Sequence, residues 1–379
     1  MKITDFRYYP TFLQLKRPLV TARGRLDVRK GYVLGVQDAE GRWGVGEAAP
    51  LEAFGSEPLS RTRQTLATWA RELPGKPVVW QPEADGLPPA AFGVLESAGP
   101  APAARHALEM ALLDLLGQEQ QVPLACLLGA SAPAEVAAQA LAVNGLIGAE
   151  APEEAAAQAL ALAAQGFGTL KIKLSGGEAQ STADLARVRA VRQAVGPNLR
   201  LRVDVGGGWQ QDQALAQMEA LAPLGLEYVE QPLGPEAWQG MTQLTLRAPI
   251  RVAADEMAAT PEGLRRVLDE RAAQVVILKP MVLGGVLTAL RMARLADGRG
   301  IATVVTSSLE GVYGRHAALH LALALRQLPM VRQMDYACGL ATGGLLVQDH
   351  LPMPPEPKAG CLSITAAPGL GLPGNFAQA

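Results

Sequence analysis

The sequence predicts an α/β chain, a (β/α)8-type barrel preceded by an α+β N-terminal capping domain. Three observations carry this. From about residue 137 onward, short apolar runs alternate with Ala/Leu/Arg-rich helical stretches. Residues 1 to about 73 read instead as strands followed by a helix. At 379 residues the chain suits one large domain plus a smaller one. The expected boundaries are 1–130 for the cap, 131–340 for the barrel and 341–379 for a C-terminal segment packing back on the cap.

In the cap, Tyr32-Val33-Leu34-Gly35-Val36, the turn Asp38-Ala39-Glu40-Gly41 and Trp43-Gly44-Val45-Gly46 predict a hairpin. The Pro/Gly-rich stretch 74–103 predicts an irregular connector. Leu108, Ala111, Leu112 and Leu115 share one face of an amphipathic helix expected from about Ala103 to Leu116. The barrel strands are then expected at Gln139–Val143, Thr169–Leu174, Leu199–Val205, Leu226–Glu230, Ile250–Ala254, Val275–Leu278, Ala302–Val305 and Met330–Met334. Their spacing is what one strand, one helix and two short loops require. An open doubly wound sheet is the competing architecture, but it usually carries a glycine-rich fingerprint after its first strand, and none follows Val143. The tail from about 340, ending in Pro368-Gly369-Leu370-Gly371, is too irregular for further barrel.

Bulk composition narrows the partners. Hydrophobic residues make up 49% and charged residues 18%, as in ordinary globular proteins. A net charge of −2 excludes recruitment of nucleic acid or an anionic membrane by bulk electrostatics. A small-molecule partner is expected, and a homo-oligomer stays open. Cys126, Cys338 and Cys361 form no CxxC pair, which points to reduced thiols in a cytoplasmic compartment. Met1 to Arg7 shows no apolar core of a signal peptide. No apolar run approaches the length of about 18 residues that a membrane span needs.

Active sites of such barrels lie where the strands end, because the following loops converge there. The second expected strand ends in Lys171-Ile172-Lys173, the third in Arg202-Val203-Asp204, and the fourth in Glu230-Gln231-Pro232. The fifth ends in Asp255-Glu256, the sixth in Lys279-Pro280, the seventh in Thr306-Ser307-Ser308, and the eighth in Asp335. A charge ending an apolar strand is costly unless it is paired or binds an ion. Any one of these acids would as readily cap a helix or pair with a lysine. Three in register, Asp204, Glu230 and Asp255, on strands about 4.8 Å apart, argue for one shared hard cation. Mg²⁺ suits such ligands, and Mn²⁺ would accept the same set.

Side chains repeat every two residues along a strand, so Lys171 and Lys173 point the same way, as do Arg202 and Asp204. Lys279 follows a strand four removed from that of Lys173, hence opposite it in a ring of eight. A carboxylate substrate on the metal would lie between the two lysines. The cation would neutralise the carboxylate and make an α-proton easier to remove. Lys173 is the expected base, its pKa drawn down by neighbouring positive charge. Arg202 would orient a lysine or an anionic group.

This series of strand-end residues resembles the muconate-lactonizing branch of the enolase superfamily. So do Gly44-Val45-Gly46-Glu47-Ala48-Ala49-Pro50-Leu51, the helix Leu108-Glu109-Met110-Ala111-Leu112-Leu113-Asp114-Leu115-Leu116-Gly117, and the C-terminal Pro-Gly-Leu-Gly. Arg202 two residues before Asp204, Thr306-Ser307-Ser308-Leu309-Glu310-Gly311 and Met334-Asp335-Tyr336 are most similar to the o-succinylbenzoate synthase family. That resemblance implies a magnesium-dependent dehydration in menaquinone biosynthesis. Lys173 would remove the α-proton and protonate the departing hydroxyl, a syn elimination, while Lys279 stays cationic. Thr306, Ser307, Ser308 and Glu310 would line the substrate, with the Ser307 and Ser308 amides on its second carboxylate. The loop at Val20-Thr21-Ala22-Arg23-Gly24 resembles a specificity loop, which makes Arg23 or Arg25 a candidate carboxylate contact. Gly206 stands where the branch commonly has Asn.

Racemisation of N-succinylamino acids or epimerisation of dipeptides suits two opposed lysines equally. A site with a histidine base fits less well, because His106, His316, His320 and His350 fall in expected helices or the tail. A non-catalytic binding barrel would tolerate loss of some of these groups, yet all are present.

Overall fold

The computed structural model describes residues 1–21, 24–78, 99, 101–177, 181–374 and 376. The N-terminal domain is a three-stranded antiparallel sheet of β1 (Ile3–Thr21), β2 (Gly24–Asp38) and β3 (Trp43–Ala48), in that order. The expected hairpin is present. Val36 lies opposite Gly44, and the Asp38 carboxylate accepts from the amides of Glu40 and Arg42 across a turn with Gly41 at φ 80°. An αL residue is cheap there only as glycine. Most of the expected connector, and Arg23 with it, lies outside the described residues.

The helix Pro102–Gln120 is buried on every side from Ala103 to Gly117, apart from the half-buried Arg105, rather than along one stripe. Sheet and barrel enclose it from both sides, which is why it carries so many alanines. A Cβ at Gly44 or Gly46 would run into the helix backbone at Ala111 or Ala107, so glycine sets that close approach. The Asp114 carboxylate bridges two distant segments, accepting from the amide of Val45 at 3.0 Å and of Leu370 at 2.7 Å. Phe376 stacks on Trp43 and packs against Gly35 of the sheet.

Among the described residues, seven parallel strands form one curled sheet. They are β5 (Gly145–Ile147), β6 (Thr169–Lys173), β7 (Arg200–Asp204), β8 (Leu226–Glu230), β9 (Val252–Ala254), β10 (Val275–Leu278) and β11 (Ala302–Val305). Helices such as Pro152–Ala164, Ser181–Val195 and Val286–Asp297 cover its outside. Burial on both faces explains the Val/Ile/Leu/Ala character of these strands.

Two expected strands are corrected. Met330–Met334 belongs to a helix, Pro329–Met334, with proline at its first turn, and Asp335 ends it in the left-handed conformation at φ 45°. Only Met330, Val331 and Met334 of that run are apolar, and three apolar side chains in five residues do not separate strand from helix. The ring closes through the next residues instead. Cys338 bridges Val143 and Gly339 bridges Thr306, both parallel. The first expected run is also displaced. Within it β4 (Leu141–Ala142) pairs antiparallel with β12 (Cys361–Leu362), and the first barrel strand follows at β5. Asp335 therefore lies beside Arg200, at the end of the barrel away from the carboxylates.

Inside the barrel, Tyr228, Ala253, Val275, Ile277, Ala302 and Val304 form an apolar cluster, with buried Arg202 against Tyr228. The charged strand ends stand above it. Among the described residues no helix is long and apolar enough to cross a membrane. Asp114→Ala would leave two buried amides without acceptors and is expected to cost about 2 kcal/mol. Urea unfolding reads this, and an unchanged midpoint would show that Asp114 does not tie the tail to the sheet.

Candidate active site

The parallel register brings the strand-end charges together. It sets Lys173 beside Asp204 and Asp204 beside Glu230, while Glu230 pairs with Ala253, two residues before Asp255. Lys171 Nζ lies 2.5 Å from Glu230 Oε1 and 3.1 Å from Asp204 Oδ2. Lys173 Nζ donates to Asp204 Oδ1 at 2.9 Å, and Lys279 Nζ to Asp255 Oδ2 at 2.6 Å. From the helix behind β6, Arg187 donates to the Lys173 carbonyl at 2.8 Å and fixes the end of that strand.

Burial works against the charged forms of Asp204, Glu230, Lys171 and Lys279, and neighbours decide the outcome. It opposes the Asp204 carboxylate, but Lys171 and Lys173 hold that group well below its usual range. It opposes the Lys171 ammonium too, which Asp204 and Glu230 nonetheless raise well above its usual value. Lys279 is raised against its burial by Asp255 and Glu256. Glu230 goes the other way. Burial pushes its carboxyl up, and Asp204 and Asp255 add to this against Lys171.

Among the described residues, no three acidic, histidine or cysteine side chains are gathered closely enough to hold a metal as they stand. The lysines explain this, since Lys171 spans Asp204 and Glu230 while Lys279 holds Asp255. The donor set nevertheless fits a hard divalent cation. It is made of carboxylate oxygens on three adjacent strands, and Glu230 Oε2 is buried without a hydrogen-bond partner.

Gln231 was quoted in the sequence without a role. It is fully buried at φ 40°, and its side-chain carbonyl accepts from the amides of Asp255 at 2.9 Å and Met257 at 3.3 Å. It thus aims Asp255, and a glutamine after a strand-end acid was the only available signal. Phe54 of the cap was missed altogether. Its ring lies 4.5 Å from Lys279 Nζ, a contact between segments too distant in sequence to be read there. Gly206 stands at φ 59°, and a Cβ there would crowd Lys173 Nζ at 3.0 Å, so both backbone angle and close approach favour glycine.

Arg202 does not reach the mouth. Its side chain is 0% exposed, one layer below Asp204. It donates to Glu227 at 2.5 Å, to the Tyr228 hydroxyl at 2.7 Å and to the Ala337 carbonyl at 2.9 Å. A register shift in β8 brings both Glu227 and Tyr228 opposite this one arginine. The guanidinium also lies 4.6 Å from the Tyr228 ring, so Arg202 secures the segment that closes the barrel. Arg25 is exposed and paired with Asp27.

The loop after β11 is tightly built. Thr306 Oγ1 donates to the Gly339 carbonyl at 3.0 Å, and Ser307 Oγ lies 2.7 Å from Thr342 Oγ1. The amides expected to hold a carboxylate are already committed, that of Ser307 to the Gly339 carbonyl and that of Ser308 to Glu310 Oε2 at 2.5 Å. The Ser308 hydroxyl is buried without a partner. Leu309 stands at φ 65°, a strained conformation that costs about 1–3 kcal/mol and persists only where surroundings enforce it. Burial, with Glu47 adding, pushes the Glu310 carboxyl up to about 7.

Residues 154–377 match the family model described as enolase C-terminal domain-like, and residues 3–98 match MenC, N-terminal domain. The chain belongs to the enolase superfamily. Its relatives in that superfamily are enzymes. An o-succinylbenzoate synthase of Thermobifida fusca is 40% identical over 203 residues, a match that spans 54% of this chain and 61% of that protein. A hydrophobic dipeptide epimerase of Enterococcus faecalis is 29% identical over 98% of this chain and 97% of its own. The dipeptide epimerase structure from Enterococcus faecalis complexed with Mg and L-Leu-L-Tyr superposes with a TM-score of 0.85 at 27% identity. It covers 98% of this chain and 99% of that one.

Arg202→Met would strand Glu227 and open the closure, lowering stability by about 3 kcal/mol. Denaturant unfolding checks this, and an unchanged midpoint would remove Arg202 from the closure. Millimolar Mg²⁺ is expected to raise the melting temperature of the wild type, and Asp204→Asn to abolish that rise. An undiminished rise would take Asp204 out of the cation site.

Proposed function

We propose that this enolase-superfamily chain is a lyase forming o-succinylbenzoate from 2-succinyl-6-hydroxy-2,4-cyclohexadiene-1-carboxylate, in menaquinone biosynthesis. The observation that carries proton abstraction is the arrangement of Lys173 and Lys279. They follow strands four apart in the ring, each bonded to a carboxylate of the acid cluster between them. Elimination is supported by the match of residues 3–98 to MenC, N-terminal domain, and by the 40% identity to the synthase.

Asp204, Glu230 and Asp255 would hold Mg²⁺, with Mn²⁺ an alternative on the same oxygens. The bound cation supplies positive charge at the substrate carboxylate, which acidifies the neighbouring α-carbon. Lys173 Nζ takes the α-proton and returns it to the hydroxyl leaving the same ring face. The C–O bond breaks, water departs, and the electron pair of the C–H bond completes the aromatic ring. Lys279, held by Asp255 and faced by Phe54, stays an ammonium and balances negative charge on the substrate from the opposite side. Lys171 keeps Asp204 and Glu230 side by side. Thr306, Ser307, Ser308 and Glu310 line the remote end of the substrate, where the Ser308 hydroxyl is the group left to bind a second carboxylate.

A second reading is epimerisation of a dipeptide or racemisation of an N-succinylamino acid. The coverage of nearly the whole chain by the Enterococcus epimerase supports it, as do two lysines each able to serve one face of an α-carbon. The two are separated by offering Mg²⁺ with the cyclohexadiene carboxylate, followed by loss of water, and with N-succinylamino acids and dipeptides in D₂O, followed by α-deuterium uptake. Elimination is expected to run faster, and faster deuterium uptake would overturn the lyase assignment. Lys173→Ala should lower either rate by at least about 10²-fold with the fold intact, whereas appreciable residual turnover would remove it as the base.

A further inference from the structure

The loop Thr306–Gly311 keeps its strained shape through a buried polar cluster that the proposed chemistry does not use. Glu47 of β3 sends its carboxylate across to the barrel, where it accepts from the amide of Gly311 at 2.6 Å and of Gly314 at 2.9 Å. Gly311 precedes the helix Val312–Leu325, whose own side chains provide no cap. Its first amides are satisfied from elsewhere, by Glu47 and by Asp349, which accepts from Val312 at 2.8 Å. His350 Nε2 lies 3.2 Å from Glu47 Oε1, at ion-pair distance though not aligned as a hydrogen bond. Its ring stacks on Tyr313 with centroids 5.6 Å apart.

The packing leaves no slack. A Cβ on Gly311 would run into the His350 ring, so glycine is required here by close approach and not by its backbone angle. On the other side of the loop, buried Arg29 of β2 donates to the Leu309 carbonyl at 3.2 Å, to Pro50 at 2.9 Å and to Ala49. One arginine thus ties the left-handed Leu309 to the cap segment that also bears Glu47. Burial opposes the charge on Glu47, but His350 and the two amides hold its carboxyl down to about 2.

We propose that Arg29, Glu47 and His350 are positioning residues that hold the loop Thr306–Gly311 in its working shape and so set how tightly the remote end of the substrate is bound. The proposal rests on the placement of that loop at the substrate in the proposed function. An interaction with the remote end is made equally before and during proton transfer, so its loss raises KM and spares kcat.

The test compares His350→Leu, which removes the partner of Glu47, with His350→Gln, whose amide restores a donor. It uses whichever of the two substrate classes the wild type turns over, together with hydrogen exchange of peptides spanning 306–314. His350→Leu should raise KM about tenfold with kcat changed less than about twofold, and should speed exchange in that segment. His350→Gln should return both toward wild type. Equal behaviour of the two variants, or wild-type KM and exchange in His350→Leu, would overturn the proposal. If His350→Leu fails to fold, Glu47→Gln removes the same charge pair and is read by the same two criteria. If the wild type turns over neither substrate, the proposed function fails separately, and exchange alone decides whether these residues hold the loop: faster in His350→Leu upholds it, unchanged overturns it.

Discussion

Three acidic and three lysine side chains share the buried mouth of the barrel, and their balance constrains everything around them. Parallel strands about 4.8 Å apart bring Asp204, Glu230 and Asp255 close enough to repel one another. Lys171 and Lys279 offset that repulsion at 2.5 to 2.6 Å. The offset is incomplete, as the raised Glu230 and its unpartnered Oε2 show. A divalent cation would relieve what the lysines leave over. Such a layer survives only above a dry floor and under a roof, which the buried cluster around Tyr228 with Arg202 beneath and Phe54 above provide.

The roof comes from the cap, so site geometry depends on how cap and barrel are joined. Two buried charged side chains make much of that joint, and a third ties the C-terminal tail to the cap. Arg29 reaches the Leu309 carbonyl, Glu47 caps a barrel helix, and Asp114 ties β3 to the tail. Each serves backbone groups of segments remote in sequence, satisfying amides and carbonyls that burial would otherwise leave costly. Below the site Arg202 does the same work, holding Ala337 where the ring closes.

Much of the site was legible because charge is conspicuous at the end of an apolar strand. The two-residue repeat placed Lys171 with Lys173 and Arg202 with Asp204 without any coordinates. Depth was not legible. Arg202 shares a face with Asp204, but a barrel interior has layers, and the register shift in β8 decides that this arginine meets Glu227 and Tyr228. The closing strand was misplaced because the three apolar side chains of Met330–Met334 suit a helix as well as a strand, while Ala337–Gly339 carries no pattern long enough to notice.

The sequence by itself determined the class of fold, the order of the strand-end residues and the acid–lysine chemistry, because these follow from periodicity and from the cost of burying charge. Family membership was foreshadowed by the same residues and established by the matches over 154–377 and 3–98. Tertiary structure alone decided which amides were free. The Ser307 and Ser308 donors, available in a bare sequence, are taken by Gly339 and Glu310. It also decided that Glu47 and His350, about 300 residues apart, face each other beside that loop. Such pairings depend on how two sheets and a tail pack together, and no local pattern encodes that.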